Sequence, residues 1–381
     1  SAGGRVTPGN SSVGFFTCGG LIMEADSAYD FEFNAVPTND SIMVSNSDGL
    51  TVNGGGFNLY QAGTLNPLRT PGTYNLIRYT GAVGGAGTAA LIVLNAEPDL
   101  SYTFGTSGGW VTLTVGAASG NVWTGGGADF SWQTADNWGG VAPSVSNLLV
   151  FGTNAPARVN NTNDFPANTK FYGIVFTNDG VYTLNGNAMN LLSGIANNTV
   201  NGQTVNLPIV MDGGNRSVNA KSGNLTIGGA IGQDVAGRAL NVFGTKTTTL
   251  SGTNTYTGGT TVFEGTLAMG GSGQLNSGSY SAGISLVAAA STFQYGSTAN
   301  QTVSGAISGS GLIIVTNNST LILSGANTYA GVTAIGPGTL KLGASNRITD
   351  GAGKSNSEIR GTLDLNGFND TVNAVTGTGY V

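Results

Sequence analysis

The stretch "LSGTNTYTGGTTVFEGTLAMG", residues 250–270, recurs without a gap as "LSGANTYAGVTAIGPGTLKLG" at residues 323–343, an offset of 323 − 250 = 73. Fainter echoes surround it: "GGAIG" from Gly228 matches "SGAIS" from Ser304, and "STFQYG" from Ser291 resembles "GTLDLN" from Gly361. Self-similarity at a fixed offset marks a stacked-repeat architecture. Within the first copy, Thr261, Phe263, Thr266 and Ala268 alternate with Val262, Leu267 and Met269. Turns at Gly258–Gly259 and Glu264–Gly265 then point Val262, Leu267 and Met269 inward. Seventy-three residues exceed one solenoid coil. They fit three coils of roughly 24 residues, each holding three short strands and their turns. Stacked coils form parallel strands about 4.8 Å apart. Leu250 and Leu323 are expected in the core at equivalent positions. Asn254 and Asn327, and likewise Tyr256 and Tyr329, occupy equivalent turn positions, where asparagine amides can bond along the axis.

The rest of the chain agrees with an all-β reading. No 12-residue window holds a sustained i, i+3, i+4 apolar pattern free of Gly and β-branched residues. Short alternating runs appear instead: "YDFEFN" from Tyr29, "TYNLIRY" from Thr73, "GWVTLTV" from Gly109 and "STLILSG" from Ser319. Turn-forming residues bound each of them. Only 8% of the 381 residues are charged and 64 are glycine, while hydrophobic residues make up 39%. Disorder couples low hydrophobicity to high charge, and neither holds here. Thr, Ser, Asn and Gly replace the charges, as turns and polar β-faces require. The net charge of −6 argues against nucleic acid or an anionic membrane surface as a main partner. No apolar run approaches the ~20 residues of a membrane span. The opening "SAGGRVTPGN" has no signal-peptide character, so any export signal is expected to have been removed or to lie outside these residues. Cys18 is the single cysteine, which excludes an internal disulfide and suits a small buried hydrophobe.

Catalytic chemistry finds little support. The chain has no histidine, which removes Ser–His–Asp and Cys–His arrangements and histidine metal sites. Its glycines lack the neighbours of a phosphate-binding loop or a dinucleotide fingerprint. Paired carboxylates remain. If "MEADSAYDFEF" is one strand, Glu24, Asp26, Asp30 and Glu32 share a face opposite Tyr29, Phe31 and Phe33, at a spacing of roughly 6–7 Å that overlaps glycosidase geometry. A solvated acidic face over an aromatic core is the preferred reading. "GGGAD", ending at Asp129, faintly resembles a calcium-binding turn but occurs once rather than in an array. Trp123, Trp132 and Trp138 form the best candidate ligand surface, since such rings can stack on sugars, although core or cap packing is preferred for them too. No catalytic residue, metal or cofactor is expected.

At its repeats the chain resembles a known family. "LSGTNTYTGGTTVFEGTL" and "LSGANTYAGVTAIGPGTL" are similar to the autotransporter-associated β-strand repeat, also called the passenger-associated transport repeat, of bacterial surface and secreted proteins. "VWTGGGADFSWQTADNW" from Val122 resembles the tryptophan-rich segment that opens such regions. "TPGNSSVGFFTCGGLIMEADSAYDFEFN" resembles the segment that closes them. The resemblance implies a right-handed parallel β-helix, export to the extracellular space or bacterial surface, and a structural or adhesive role without enzymatic activity.

The order of these segments is permuted, with the closing type first. A boundary near Ala117–Gly120 therefore divides a β-rich closing module, residues 1–118, from a β-solenoid, residues 119–381. The chain reads as one period of a giant tandem protein, or as a subunit whose ends complete each other between copies. The leading expectation is a building block of a filament, sheath or surface layer that assembles head to tail with itself, Val6, Val375, Tyr380 and Val381 being the candidate contacts. The alternative is a passenger-like adhesin that binds carbohydrate or a host surface through exposed loops.

Overall fold

The computed structural model describes residues 4–9, 12–34, 38–152 and 158–381. Of the sequence-predicted head, residues 1–3, 10 and 11 lie outside that set. Among the described residues the regular structure is β-strand with three short 3-10 turns and no α-helix. The strands stack in parallel as a β-solenoid, in two compact units, Ser1–Ser119 and Gly120–Val381.

In the first unit the chain winds around three faces. One carries Arg5–Val6, Ala28–Phe33, Gly56–Gln61 and Ile92–Val93, all parallel. The second carries Phe15–Cys18, Ser41–Ser47 and Gly72–Thr80 in parallel, then the antiparallel hairpin Leu100–Ser107/Trp110–Ala117. The third carries Leu21–Met23, Leu50–Val52 and Val83–Gly85. Alternation drives the burial, because successive side chains of a strand point to opposite faces. Tyr29, Phe31 and Phe33 enter the core, and Phe57 packs on both Tyr29 and Phe31 at centroid distances of 5.2 and 5.3 Å.

The second unit repeats this construction over more coils. Its first face runs through nine parallel strands, from Gly120–Val122 to Ile307–Gly309, and its second through eleven, from Asn160–Asn163 to Val375–Thr376. The third face is interrupted. Four strands end at Ile231–Gln233 and five begin at Ser279–Tyr280, with a single parallel bridge, Thr253 to Gln274, between them. Inward residues of the second face stack in one column, Leu184, Val205, Ile227, Leu250, Met269, Tyr295, Val315, Ile335 and Ile359. Every one of these is at most 2% exposed. Eight coils separate the first from the last. One coil therefore averages (359 − 184)/8, or roughly 22 residues, near the short end of solenoid repeats.

That coil length corrects one expectation. Leu250 and Leu323 are both fully buried, as the repeat demands, but they are not equivalent within the coil. Leu250 ends a second-face strand, between Ile227 and Met269, whereas Leu323 ends a third-face strand, between Val303 and Leu342. The coil is slightly shorter than a third of the repeat offset, so that offset spans three coils and a third. The second copy is therefore advanced by one face. Its segment 324–332 lies along the first face, where Thr328 and Ala330 donate to Ile307 and Gly309 at 2.8 Å. The same cassette of strand, irregular edge and two strands fits two settings because each face presents the next coil with the same ladder of backbone groups.

Candidate functional surface

The tryptophan patch is interior. Trp123 and Trp132 are fully buried and Trp138 is 5% exposed, which removes them as a sugar-stacking surface. Trp123 meets Trp138 edge to face at 5.1 Å, and Trp132 lies against Phe151 and Phe171. Their indole N–H groups need partners inside an apolar site. Trp132 donates to the Asn161 side chain and Trp138 to the Trp132 carbonyl, each at 2.7 Å. These rings fill the core beside the first strands of the second unit.

The acidic run does not form one strand. A corner at Ala25–Asp26 separates Leu21–Met23 from Ala28–Phe33, so Glu24 and Asp26 leave the face that Asp30 and Glu32 share. Asp30 is committed to structure: it pairs with Arg5 and accepts from the Asn58 amide at 2.8 Å. Asp129 closes its own turn, accepting from the Ser131 N–H at 3.0 Å, the Thr134 hydroxyl at 2.8 Å and the Asn137 amide at 3.0 Å. Those donors, Thr134 first, hold its carboxyl below the usual aspartate range. Among the described residues no three His, Cys, Asp or Glu side chains converge as metal ligands would.

The repeat asparagines hold coils together rather than a ligand. The fully buried Asn254 accepts from Ile231 N–H in the preceding coil at 3.0 Å and donates to the Gln274 carbonyl in the following one at 2.9 Å. Asn327 does the same with Ile307 and Arg347, at 2.9 and 2.8 Å. The bonds run along the axis, as the turn positions implied, but to backbone groups rather than from amide to amide. Tyr256 and Tyr329 are buried beside them, each hydroxyl against a threonine four residues on, Thr260 at 2.9 Å and Thr333 at 2.6 Å.

Among the described residues, exposed apolar side chains lie at several sheet margins. In the first unit Phe15–Cys18 and Leu21–Met23 each lie at the margin of a sheet, with Phe15 78% and Ile22 64% exposed; Val6 is half-buried. Cys18, at the end of the first of these strands, is half-buried rather than fully enclosed, because a marginal strand is covered from one side only. In the second unit Val375, in the last second-face strand, Tyr380, which bridges to Thr362 of the third face, and Val381 are exposed. No property of residue type marks Phe15 or Ile22 as exposed, because the same apolar alternation describes an inner coil.

Residues 240–269 and 313–342 match the passenger-associated-transport-repeat family. Over 130 residues, 34% of this chain, the sequence is 32% identical to the adhesin BmaC autotransporter of Brucella suis biovar 1 (strain 1330). That alignment spans 3% of the adhesin's length. No solved structure matches the chain significantly. The two echoing stretches are thus passenger-associated-transport repeats, carried here by a parallel β-solenoid.

Proposed function

We propose that this chain is part of a passenger-like adhesin, displayed at a bacterial surface or outside the cell, that binds through its outer faces and performs no reaction. The observation that carries this reading is the pair of passenger-associated-transport repeats within a solenoid that is similar to an autotransporter adhesin over a third of its length. A solenoid suits the role physically: each coil contacts only its neighbours, so outward residues can vary while the inward columns keep the fold. Beads coated with the chain should adhere to host cells or matrix above a scrambled-sequence control. Adhesion no greater than that control would end this reading.

A second reading, assembly of copies into a filament or layer, is favoured by the sheet margins at Phe15–Cys18 and Leu21–Met23. Among the described residues no strand pairs with the outer side of these two, and strand N–H and C=O groups beside exposed apolar side chains invite another strand. The coil of a second copy that contains Val375, Tyr380 and Val381 would add there as a further parallel strand. Electron microscopy at high protein concentration tests it. Filaments that vanish in Phe15→Lys/Ile22→Lys, with an unchanged melting curve, support it; monomers at all concentrations remove it.

A further inference from the structure

We infer that a hollow on the second face of the second unit is a binding site for one ring of a neutral hexose glycan. The inference rests on the adhesive reading above and names its ligand class. The hollow has a volume of about 220 Å3 and is lined by Ile314, Ala334, Ile335, Gly336, Glu358 and Arg360. Ile314, Ala334 and Glu358 are register partners on three successive strands. Their side chains point outward, since their neighbours Ile313, Val315, Ile335 and Ile359 fill the core and successive side chains alternate. Ala334 and Gly336 form a low floor, Ile314 an apolar wall on one side, and Glu358 with Arg360 a polar wall on the other. Walls two strands apart stand roughly 10 Å from one another.

The floor is a difference between the two repeat copies. Ala334 and Gly336 stand where the first copy has Thr261 and Phe263. In the first copy the corresponding repeat position lies on the first face and carries a ring: Phe263 stacks on Phe243 at 4.4 Å with the planes 15° apart. In the second copy Gly336 carries no side chain at all, and the inward residue before it, Ile335, stands where the first copy has Val262. The low floor comes from Ala334 and Gly336, and the walls come from the neighbouring coils, which supply Ile314 on one side and Glu358 with Arg360 on the other.

The polar wall selects the ligand. Arg360 donates to Glu358 at 2.6 Å, and both remain partly exposed, 70% and 40%. Adjacent hydroxyls on a sugar ring can donate to the carboxylate and accept from the guanidinium at once, while the ring's C–H face lies on Ile314 and Ala334. A neutral ring leaves the ion pair intact. A uronate or sialate would compete with Glu358 for Arg360 and meet the Glu358 charge in return.

The test is retention of the whole chain on an array of neutral hexose oligosaccharides with sialylated and uronate-containing glycans alongside. Retention on neutral hexoses that falls at least tenfold in Ala334→Trp, which fills the hollow, and in Arg360→Ala, supports the site. Lys341→Ala, on the third face, should leave retention unchanged. Arg360 is exposed, so that variant decides the matter if Ala334→Trp fails to fold. Neutral-glycan retention untouched by Ala334→Trp or Arg360→Ala overturns the site, as does retention confined to acidic glycans. Adhesion to cells without glycan retention overturns it while leaving the adhesive reading; loss of both removes the two together.

Discussion

The side-chain oxygen of Asn254 accepts the backbone N–H of Ile231, one coil earlier, at 3.0 Å. A buried amide hydrogen left without a partner costs about 1–3 kcal/mol, so Asn254→Ala should destabilise the solenoid by that amount. Asn327 makes the matching bond to Ile307 but is only half-buried, where water can replace the lost acceptor. Asn327→Ala should cost about 1 kcal/mol or less. Solenoids need not unfold in one step, so amide hydrogen exchange at Ile231 and Ile307 is the sharper measurement. Equal, unchanged protection at both amides in the variants would show that these side chains are not the ties between coils.

Leu250 and Leu323 give a second comparison. Both are fully buried in the same continuous core but on different faces. Truncating a buried leucine costs about 2–5 kcal/mol through lost burial and the cavity left behind. Leu250→Ala and Leu323→Ala should each fall in that range and perturb different strand neighbours, Ile227 and Met269 for the first, Val303 and Leu342 for the second. Hydrogen exchange maps will show which strands loosen. A loss below about 1 kcal/mol in either contradicts the register.

Much of this was legible in residues 250–270 alone, because Val262, Leu267 and Met269 are inward for the reason the sequence suggests: turn, alternation and turn again. The rotation of the second copy was not legible. It depends on a coil slightly shorter than an exact third of the repeat offset, and the strands that set that length have little sequence in common beyond their alternation. Trp123, Trp132 and Trp138 show a different limit, since an indole suits a core and a binding platform equally well until burial decides. The hollow at Ala334 and Gly336 is invisible even with the two copies aligned. Small outward residues carry meaning only when the neighbours across the strands, Ile314 and Glu358, are known, and each of those lies a full coil away along the chain.

Thr248 offers a gain rather than a loss. It faces the core between Leu225 and Leu267, fully buried, and its hydroxyl has no hydrogen-bond partner. Removing an unpaired buried hydroxyl in favour of a methyl of similar shape recovers its desolvation cost. Thr248→Val should therefore stabilise the protein by about 1 kcal/mol. A raised urea midpoint with an unchanged slope is the expected result. A lowered midpoint would mean that the hydroxyl is satisfied in solution.

Alkaline pH should weaken the solenoid through its buried tyrosines. Burial pushes the Tyr329 and Tyr280 hydroxyls up to about 12, and that of Tyr256 well above its ordinary value. Their protons are also engaged, with Tyr280 donating to the Gly258 carbonyl at 2.6 Å and Tyr329 sharing its bond with Thr333. In the unfolded chain each ionises near pH 10. A group whose pKa rises on folding stabilises the fold fully below its unfolded value, and that contribution disappears as pH climbs through the folded one. The melting temperature should accordingly hold up to about pH 10 and fall steadily between pH 10 and 12. Tyrosinate absorbance followed over the same window should rise late, together with unfolding, for Tyr256, Tyr280 and Tyr329. Replacing Tyr329 with Phe should flatten part of the decline. If Tyr329→Phe leaves the alkaline melting profile unchanged, the buried hydroxyls are not what limits the fold at high pH.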